Sequence, residues 1–204
     1  MKNKFFLAAA LTLAALEPGI AAADFVLDTG TPTGTTSVVL NSSGWYAAEF
    51  SVTAGETIGS LSAYLTQGTG QPGNSYTWDI YSASGNFLGA NRELATYTKT
   101  GTFSANGWNT TAVNWTPTTS GLYWVALQVT GASQTPGLDL PIESSVSSGS
   151  VPATAFASAG TNNRYVLETA NPVGLEVSAV PLPAAAWLLG SGLLGLGARI
   201  RRRR

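Results

Sequence analysis

Residues able to carry out chemistry are scarce in this chain, which has 204 residues with no cysteine and no histidine. The absence of both residue types excludes disulfides, thiolate zinc sites, Ser-His-Asp triads and histidine-ligated metals. Glycoside hydrolysis would need two carboxylates about 5–9 Å apart, and no spacing among the acids selects such a pair. Lys99 is the only lysine between residues 24 and 180 that could serve a Ser-Lys dyad. The sequence therefore predicts a protein that is not an enzyme, with a glycan hydrolase as the least favoured alternative.

Aromatic and polar side chains that could contact a sugar alternate along two predicted strands, residues 76–82 and 122–129. Sugar rings stack on exposed aromatic faces, flanked by amides and carboxylates. If alternate residues face the core, the others share the outer face. The outer-facing candidates for glycan contact are Trp124, Tyr81, Asp79 and Gln128. Because a β-sandwich must also bury large aromatics, core packing is the alternative for each ring.

Calcium binding is compatible with the composition, because calcium is bound by about six to eight oxygen ligands from carboxylates and carbonyls. The local acid pairs are Asp24 with Asp28 and Asp139 with Glu143, and neither matches an EF-hand loop. A structural calcium ion at one of these pairs is therefore a hypothesis, with solvated surface acids as the alternative. No other cofactor is predicted.

The elements that position these residues are short runs of alternating apolar and polar residues separated by turn signals, a pattern typical of strands. Such spacing predicts an all-β fold, an antiparallel β-sandwich of jelly-roll type, over residues 24–179. Residues 144–160 are small, polar and of low complexity, and are expected to form a surface loop. The predicted strands are Ser37–Leu40, Tyr46–Val52, Thr57–Leu65, Tyr76–Ser82, Ala95–Phe103, Thr110–Trp115, Leu122–Val129, Tyr165–Glu168 and Leu175–Val177.

Two Gly-Trp pairs begin stretches with the same spacing of later apolar residues. Gly44-Trp45 is followed by Phe50 and Val52, and Gly107-Trp108 is followed at the same offsets by Val113 and Trp115. The repeat is consistent either with a duplicated hairpin or with the ordinary strand-and-turn pattern of a sandwich.

The first 23 residues are typical of a secretory signal peptide. Lys2 and Lys4 precede an apolar run, and the small residues around Ala21 and Ala23 fit the cleavage rule, which places the cut after Ala23. The last residues add a second segment. Residues 182–198 carry no charge and are followed by five arginines within 199–204, which predicts a single transmembrane helix with a cytoplasmic end.

Without both ends, the chain from 24 to 180 carries three bases (Arg92, Lys99, Arg164) and ten acids, a net charge of 3 − 10 = −7. An acidic body lacks the basic footprint that nucleic acids require. No nucleic-acid partner is therefore predicted.

The order of a proline motif at Pro181 and Pro183, an apolar helix and a terminal arginine cluster resembles the PEP-CTERM sorting signal of Gram-negative bacteria. Leu182 stands where the motif's name has glutamate. The resemblance covers residues 180–204 and implies recognition at Pro181 and Pro183 by an exosortase, a processing protease of the membrane. It also implies transient anchoring in the inner membrane through residues 182–198, then delivery to the cell surface or the extracellular matrix.

The body resembles the exported choice-of-anchor sandwich domains that precede such signals. The segments that carry this resemblance are the strand that begins with Trp45-Tyr46, Ala54–Leu61, Trp78–Gly85 and Ser120–Leu127. The resemblance implies no known activity, because the class is defined by anchoring and not by chemistry. We therefore expect a structural or adhesive protein of the exopolysaccharide or biofilm, and a carbohydrate-binding module on the same scaffold is the alternative.

Overall fold

The computed structural model of the protein describes residues 24–41, 44–83, 95–129, 137–142, 149–151, 153–159, 165–168 and 172–180. Throughout these residues, the short runs of alternating apolar and polar side chains form strands. The strands are β1 Asp24–Asp28, β2 Ser37–Leu40, β3 Tyr46–Val52, β4 Ile58–Leu65, β5 Ser75–Ser82, β6 Tyr97–Thr102, β7 Gly107–Trp115, β8 Gly121–Gln128, β9 Leu138–Pro141, β10 Ala155–Ala159, β11 Tyr165–Glu168 and β12 Leu175–Ala179. Every pair of neighbouring strands is antiparallel. The predicted all-β class is confirmed.

Two large sheets hold most of the strands. A four-stranded sheet has the order β1-β12-β4-β7, a six-stranded sheet has the order β11-β10-β3-β8-β5-β6, and β2 pairs with β9 separately. When β2, β9, β10 and β11 are set aside and the other eight are counted along the chain, the orders become 1-8-3-6 and 2-7-4-5. Most connections therefore carry the chain from one sheet to the other.

The inner faces of the two sheets share one hydrophobic core, as in a β-sandwich. The four-stranded sheet contributes Leu61 and Val177, and the six-stranded sheet contributes Trp78. Trp78 also links the layers, because its Nε1 donates a hydrogen bond of 3.1 Å to Thr111 Oγ1 on β7. This bond satisfies a polar atom that burial would otherwise leave without a partner.

A glycine on β6 makes room for one of the large core rings. Tyr76 lies opposite Gly101 in the β5–β6 pair, and a Cβ at position 101 would collide with the Tyr76 ring. Tyr76 itself is 0% exposed. The missing side chain therefore lets the ring pack directly against the neighbouring backbone.

Three strands were not expected from the sequence. They are β1, β9 and β10, and β10 corrects the prediction that residues 144–160 form a surface loop. Ala157 on β10 is 1% exposed, and it pairs with Ala47 of β3. Small residues look like loop residues in a hydrophobicity pattern, but here they lie beside bulky aromatic neighbours where a larger side chain would not fit.

The expected terminal signals lie outside the described residues, except for Val180 at the start of the sorting motif. This places Ala21, Ala23, Pro181, Pro183 and the apolar run 182–198 beyond the structural description. Within the described ranges, no helix has the length and apolar character needed to cross a bilayer. Ala23–Val180 forms one compact unit.

Candidate functional site

The four predicted glycan contacts do share the outer face of the six-stranded sheet. Tyr81 of β5 lies directly opposite Trp124 of β8 in register. Their exposure differs from the prediction, because Trp124 is 4% exposed, Tyr81 is 1%, and Asp79 and Gln128 are 0%. A sugar ring could stack on Trp124 only if the side chains that bury this tryptophan moved away. We call this outer surface the closed face.

A second hydrophobic cluster explains why the closed face is buried. Its members are Trp45, Ala47, Tyr81, Trp124, Ala126, Ala157 and Tyr165. The Tyr165 ring lies 6.0 Å from that of Trp45 and 6.1 Å from that of Tyr81, measured between centroids. This tyrosine therefore reaches from the edge strand β11 across the sheet.

Three alanines provide the space for that ring. Ala157, Ala47 and Ala126 are register partners on β10, β3 and β8, in a row that continues to Asp79 on β5. Their methyl side chains occupy little volume beside the aromatic rings of the same cluster. We call this set the alanine row.

Polar groups in the closed face are tied together by hydrogen bonds. The Gln128 amide donates to the hydroxyl oxygen of Tyr81 at 2.9 Å and to that of Tyr165 at 2.7 Å. Asp79 accepts a bond from the Thr98 hydroxyl. These bonds orient the Tyr81 and Tyr165 hydroxyls. In the same face, Gln128 Oε1 and the Trp45 indole N–H are buried without a hydrogen-bond partner among the described residues. Sequence reasoning missed Tyr165 because its partners lie on distant strands.

Asp28, one of the calcium candidates, is committed to local hydrogen bonds. Its Oδ1 accepts from the Gly30 N–H at 2.9 Å, and its Oδ2 accepts from the Ser150 N–H at 3.1 Å and hydroxyl at 2.9 Å. Burial alone would raise the pKa of Asp28, but the bonds from Ser150 and Gly30 outweigh it and hold the pKa below its usual value. The carboxylate therefore fastens residues 149–150 to the end of β1.

Of the other calcium candidates, Asp24 and Asp139 lie on different sheets. Asp24 is exposed at the start of β1, Asp139 lies on β9 with its carboxyl against Gly68, and Glu143 lies outside the described residues. Among the residues that can be described, no three His, Cys, Asp or Glu side chains gather into a metal-binding group. Calcium binding stays a hypothesis.

The outer face of the four-stranded sheet, which we call the open face, carries a row of polar residues across all four strands. Asp28, Glu176, Ser62 and Thr110 are successive register partners on β1, β12, β4 and β7. Ser62 Oγ and Thr110 Oγ1 are 3.0 Å apart and hydrogen-bonded. We refer to these four residues as the polar row.

Glu176 is the electrostatically unusual member of the polar row. Burial raises the pKa of its carboxyl, the negative charge of Asp28 raises it further, and a hydrogen bond with Ser62 opposes both effects. The arrangement therefore sets two like charges side by side on neighbouring strands, where a positive group would be favoured.

Next to the polar row lies a pair of half-buried aromatic rings. Tyr64 and Trp108 are register partners on β4 and β7, and their ring centroids are 5.6 Å apart with an interplanar angle of 84°. The Trp108 indole N–H donates to Thr31 Oγ1 at 3.0 Å. This aromatic pair was missed as a candidate site, although the Gly107-Trp108 signal lies in the sequence.

A cleft of about 360 Å³ opens at one end of the six-stranded sheet. Its lining residues are Ser82, Ala83, Thr119, Ser120, Gly121, Leu122 and Tyr123. These residues contribute hydroxyls and apolar surface, and the described lining contains no carboxylate. The cleft therefore offers no carboxylate pair for glycoside hydrolysis among those residues.

No family model matches the chain, and neither a curated protein nor a solved structure shows significant similarity to it.

Proposed function

We propose that the chain is an exported protein of the surface or extracellular matrix of a Gram-negative bacterium. Residues 1–23 would direct export, and residues 180–204 would act as a PEP-CTERM-type sorting signal read by an exosortase. The body would serve a structural or adhesive role in exopolysaccharide or biofilm, without catalysis. The inner membrane would hold the chain transiently through residues 182–198.

The observation that carries this proposal is the agreement between the bounds of the fold and the bounds of the two signals. The compact unit formed by Ala23–Val180 begins at the expected cleavage site. Strand β12 ends at Ala179, one residue before the expected sorting signal begins. Removal of both signals would thus leave every described strand in place.

The strand order supports a finer assignment of the body. We propose that the sandwich is a jelly roll, because the orders 1-8-3-6 and 2-7-4-5 correspond to two interlocked Greek keys. In this assignment β10 and β11 extend one sheet, and β2 with β9 form a separate antiparallel pair of strands that are distant in sequence. Jelly rolls serve as capsid and lectin scaffolds, which is compatible with a non-catalytic role.

Intact-mass measurement of the mature protein from its native host tests the sorting proposal. We expect a product that begins at Asp24 and lacks the arginine cluster, and a Pro181→Ala/Pro183→Ala variant that keeps the cluster. Pro72→Ala, in an exposed turn of the body, is the matched control and should be processed like the wild type. A mature wild-type protein that still contained Arg201–Arg204 would contradict the proposal.

The alternative function, glycan binding, now rests on a different surface from the one expected. The closed face buries the predicted contacts, whereas the open face presents an aromatic pair beside a polar row. That surface is therefore the one on which glycan binding should be sought.

A further inference from the structure

The open face places two kinds of recognition group in adjacent rows. Tyr64 and Ser62 are two residues apart on β4, and Trp108 and Thr110 are two residues apart on β7, so all four side chains share one face. Residues two apart along a strand are separated by roughly 7 Å, and neighbouring strands by about 4.8 Å. The polar row therefore spans roughly 14 Å across its four strands, beside the rings.

Each ring of the aromatic pair offers a surface for the apolar face of a separate sugar ring, because the two planes are close to perpendicular, at 84°. Both rings are half-buried, so part of each remains in contact with solvent while its base is fixed by the sheet. The Trp108 N–H is already bonded to Thr31, which holds the indole in one orientation. A rigid, partly exposed ring binds a flat apolar surface with little loss of conformational entropy.

The polar row adds a charge requirement. Asp28 and Glu176 are cross-strand partners, and both carry negative charge once ionised, so each disfavours the other's ionisation. Both oxygens of Asp28 already accept hydrogen bonds, which leaves Glu176 as the carboxylate best placed to receive a new donor. A cationic group beside Glu176 would relieve the repulsion, and an acidic or neutral sugar would not.

We propose that the open face binds a polysaccharide whose sugar rings carry protonated amino groups, with the rings on Tyr64 and Trp108 and an ammonium group at Glu176. The net charge of −7 between residues 24 and 180 favours approach of such a polymer. This site is separate from the expected contacts on the closed face, and it does not depend on how the chain is sorted. Such non-covalent binding would hold the protein in a cationic glycan matrix without any reaction of the glycan.

The test uses the full-length chain in detergent at pH 6, titrated with the tetrasaccharide of β-1,4-linked glucosamine and followed by calorimetry. We expect saturable binding that weakens at least tenfold in Tyr64→Ala and in Trp108→Ala. Tyr64→Phe and Trp108→Phe retain an aromatic ring and should bind within about threefold of the wild type. The rescue by phenylalanine separates ring stacking from a general disturbance of the fold, which near-ultraviolet circular dichroism would also report.

The charge requirement is tested with a matched pair of variants. Glu176→Gln should weaken binding about fivefold to tenfold, whereas Glu56→Gln, which changes the net charge equally in the turn before β4, should leave it within twofold. Equal weakening by both variants would show non-specific attraction of an oligocation and would overturn the proposal.

Two neutral probes complete the test. The N-acetylated tetrasaccharide and cellotetraose have rings of the same shape but no positive charge, and we expect both to bind at least tenfold more weakly. Binding of either probe as tight as that of the glucosamine tetrasaccharide would overturn recognition of the amino group. The absence of saturable binding by all three probes would overturn the site itself.

Discussion

Trp45 and Trp108 each follow a glycine near the start of a strand, and each projects from the outer face of its sheet. Trp45 is 7% exposed and packs against Tyr165 in the closed face. Trp108 is half-buried and packs edge-to-face with Tyr64 on the open face. The same local sequence pattern therefore leads to two different environments.

The difference arises from residues far away in the sequence. On the closed face, the small side chains of the alanine row pack in one cluster with Tyr165, and Gln128 fixes the hydroxyl of that ring. On the open face, Ser62 of β4 is also buried, but its register partner Thr110 on the edge strand β7 is exposed, and the two side chains bond to each other. In this protein, the outer face of a sheet forms a second core where small residues leave room for a tyrosine and a polar side chain orients that tyrosine.

The largest effect should separate Trp124, a third tryptophan that lies in the closed face, from Trp108 on the open face by the stability each one contributes. Trp124→Ala in the closed face should lower the free energy of unfolding by about 3–5 kcal/mol, because it removes a buried ring and leaves a cavity. Trp108→Ala on the open face should lower the free energy of unfolding by about 1 kcal/mol, the stabilisation that a pair of packed aromatic rings typically contributes. Urea unfolding followed by circular dichroism measures both. Equal losses would mean that the two faces are equally buried in solution.

A smaller effect concerns the polar groups of each face. Gln128→Leu should lower the free energy of unfolding by about 2 kcal/mol, since two buried hydrogen bonds to tyrosine hydroxyls are lost. Ser62→Ala breaks a bond whose partner Thr110 is exposed to water, and it should lower the same quantity by about 1 kcal/mol or less. If Gln128→Leu proved neutral in urea unfolding, the network would not orient Tyr165.

The smallest effect has the opposite sign. Because the pKa of Glu176 is raised in the folded state, its ionised form destabilises the protein above that pKa. This penalty shrinks as pH falls through the folded pKa, and it has vanished below the unfolded value of about 4.5. Glu176→Gln should therefore raise the free energy of unfolding at pH 7 by about 0.5 kcal/mol, with no gain at pH 3.

Unfolding curves at the two pH values measure this difference, and Glu56→Gln serves as the control with the same change of charge. A gain in Glu176→Gln that persisted unchanged at pH 3 would come from packing, and the charge argument for the open face would fail.

Much of the sandwich could be predicted because alternation is a local signal. The assignment of Tyr76, Trp78 and Ile80 to the core, and of Tyr81 to the other face, is confirmed. The prediction of an exposed face failed because alternation tells which side a residue takes, and says nothing of what covers that side. Tyr165 is separated from Gln128 by 37 residues, and no local pattern indicates their contact.

The strands that escaped prediction share a related cause. Strand β10 consists mainly of small residues (AFASA), and its stability comes from pairing with β3 and β11 and from packing in the closed face. Strand β1 is short and begins and ends with aspartate, which hides its apolar centre. Tertiary contacts, rather than the intrinsic preference of the residues, decide whether such segments form strands.

The pairing of the first and last strands has a mechanical consequence. Asp24, where β1 begins, lies opposite Ala179, where β12 ends, so their Cα atoms are roughly 5 Å apart as in any antiparallel pair. A pull that separated the two chain ends would load this ladder at one extremity and open it bond by bond, as a zip opens. Because β1 is an edge strand, it would peel away before tension reached the hydrogen bonds between β4 and β7.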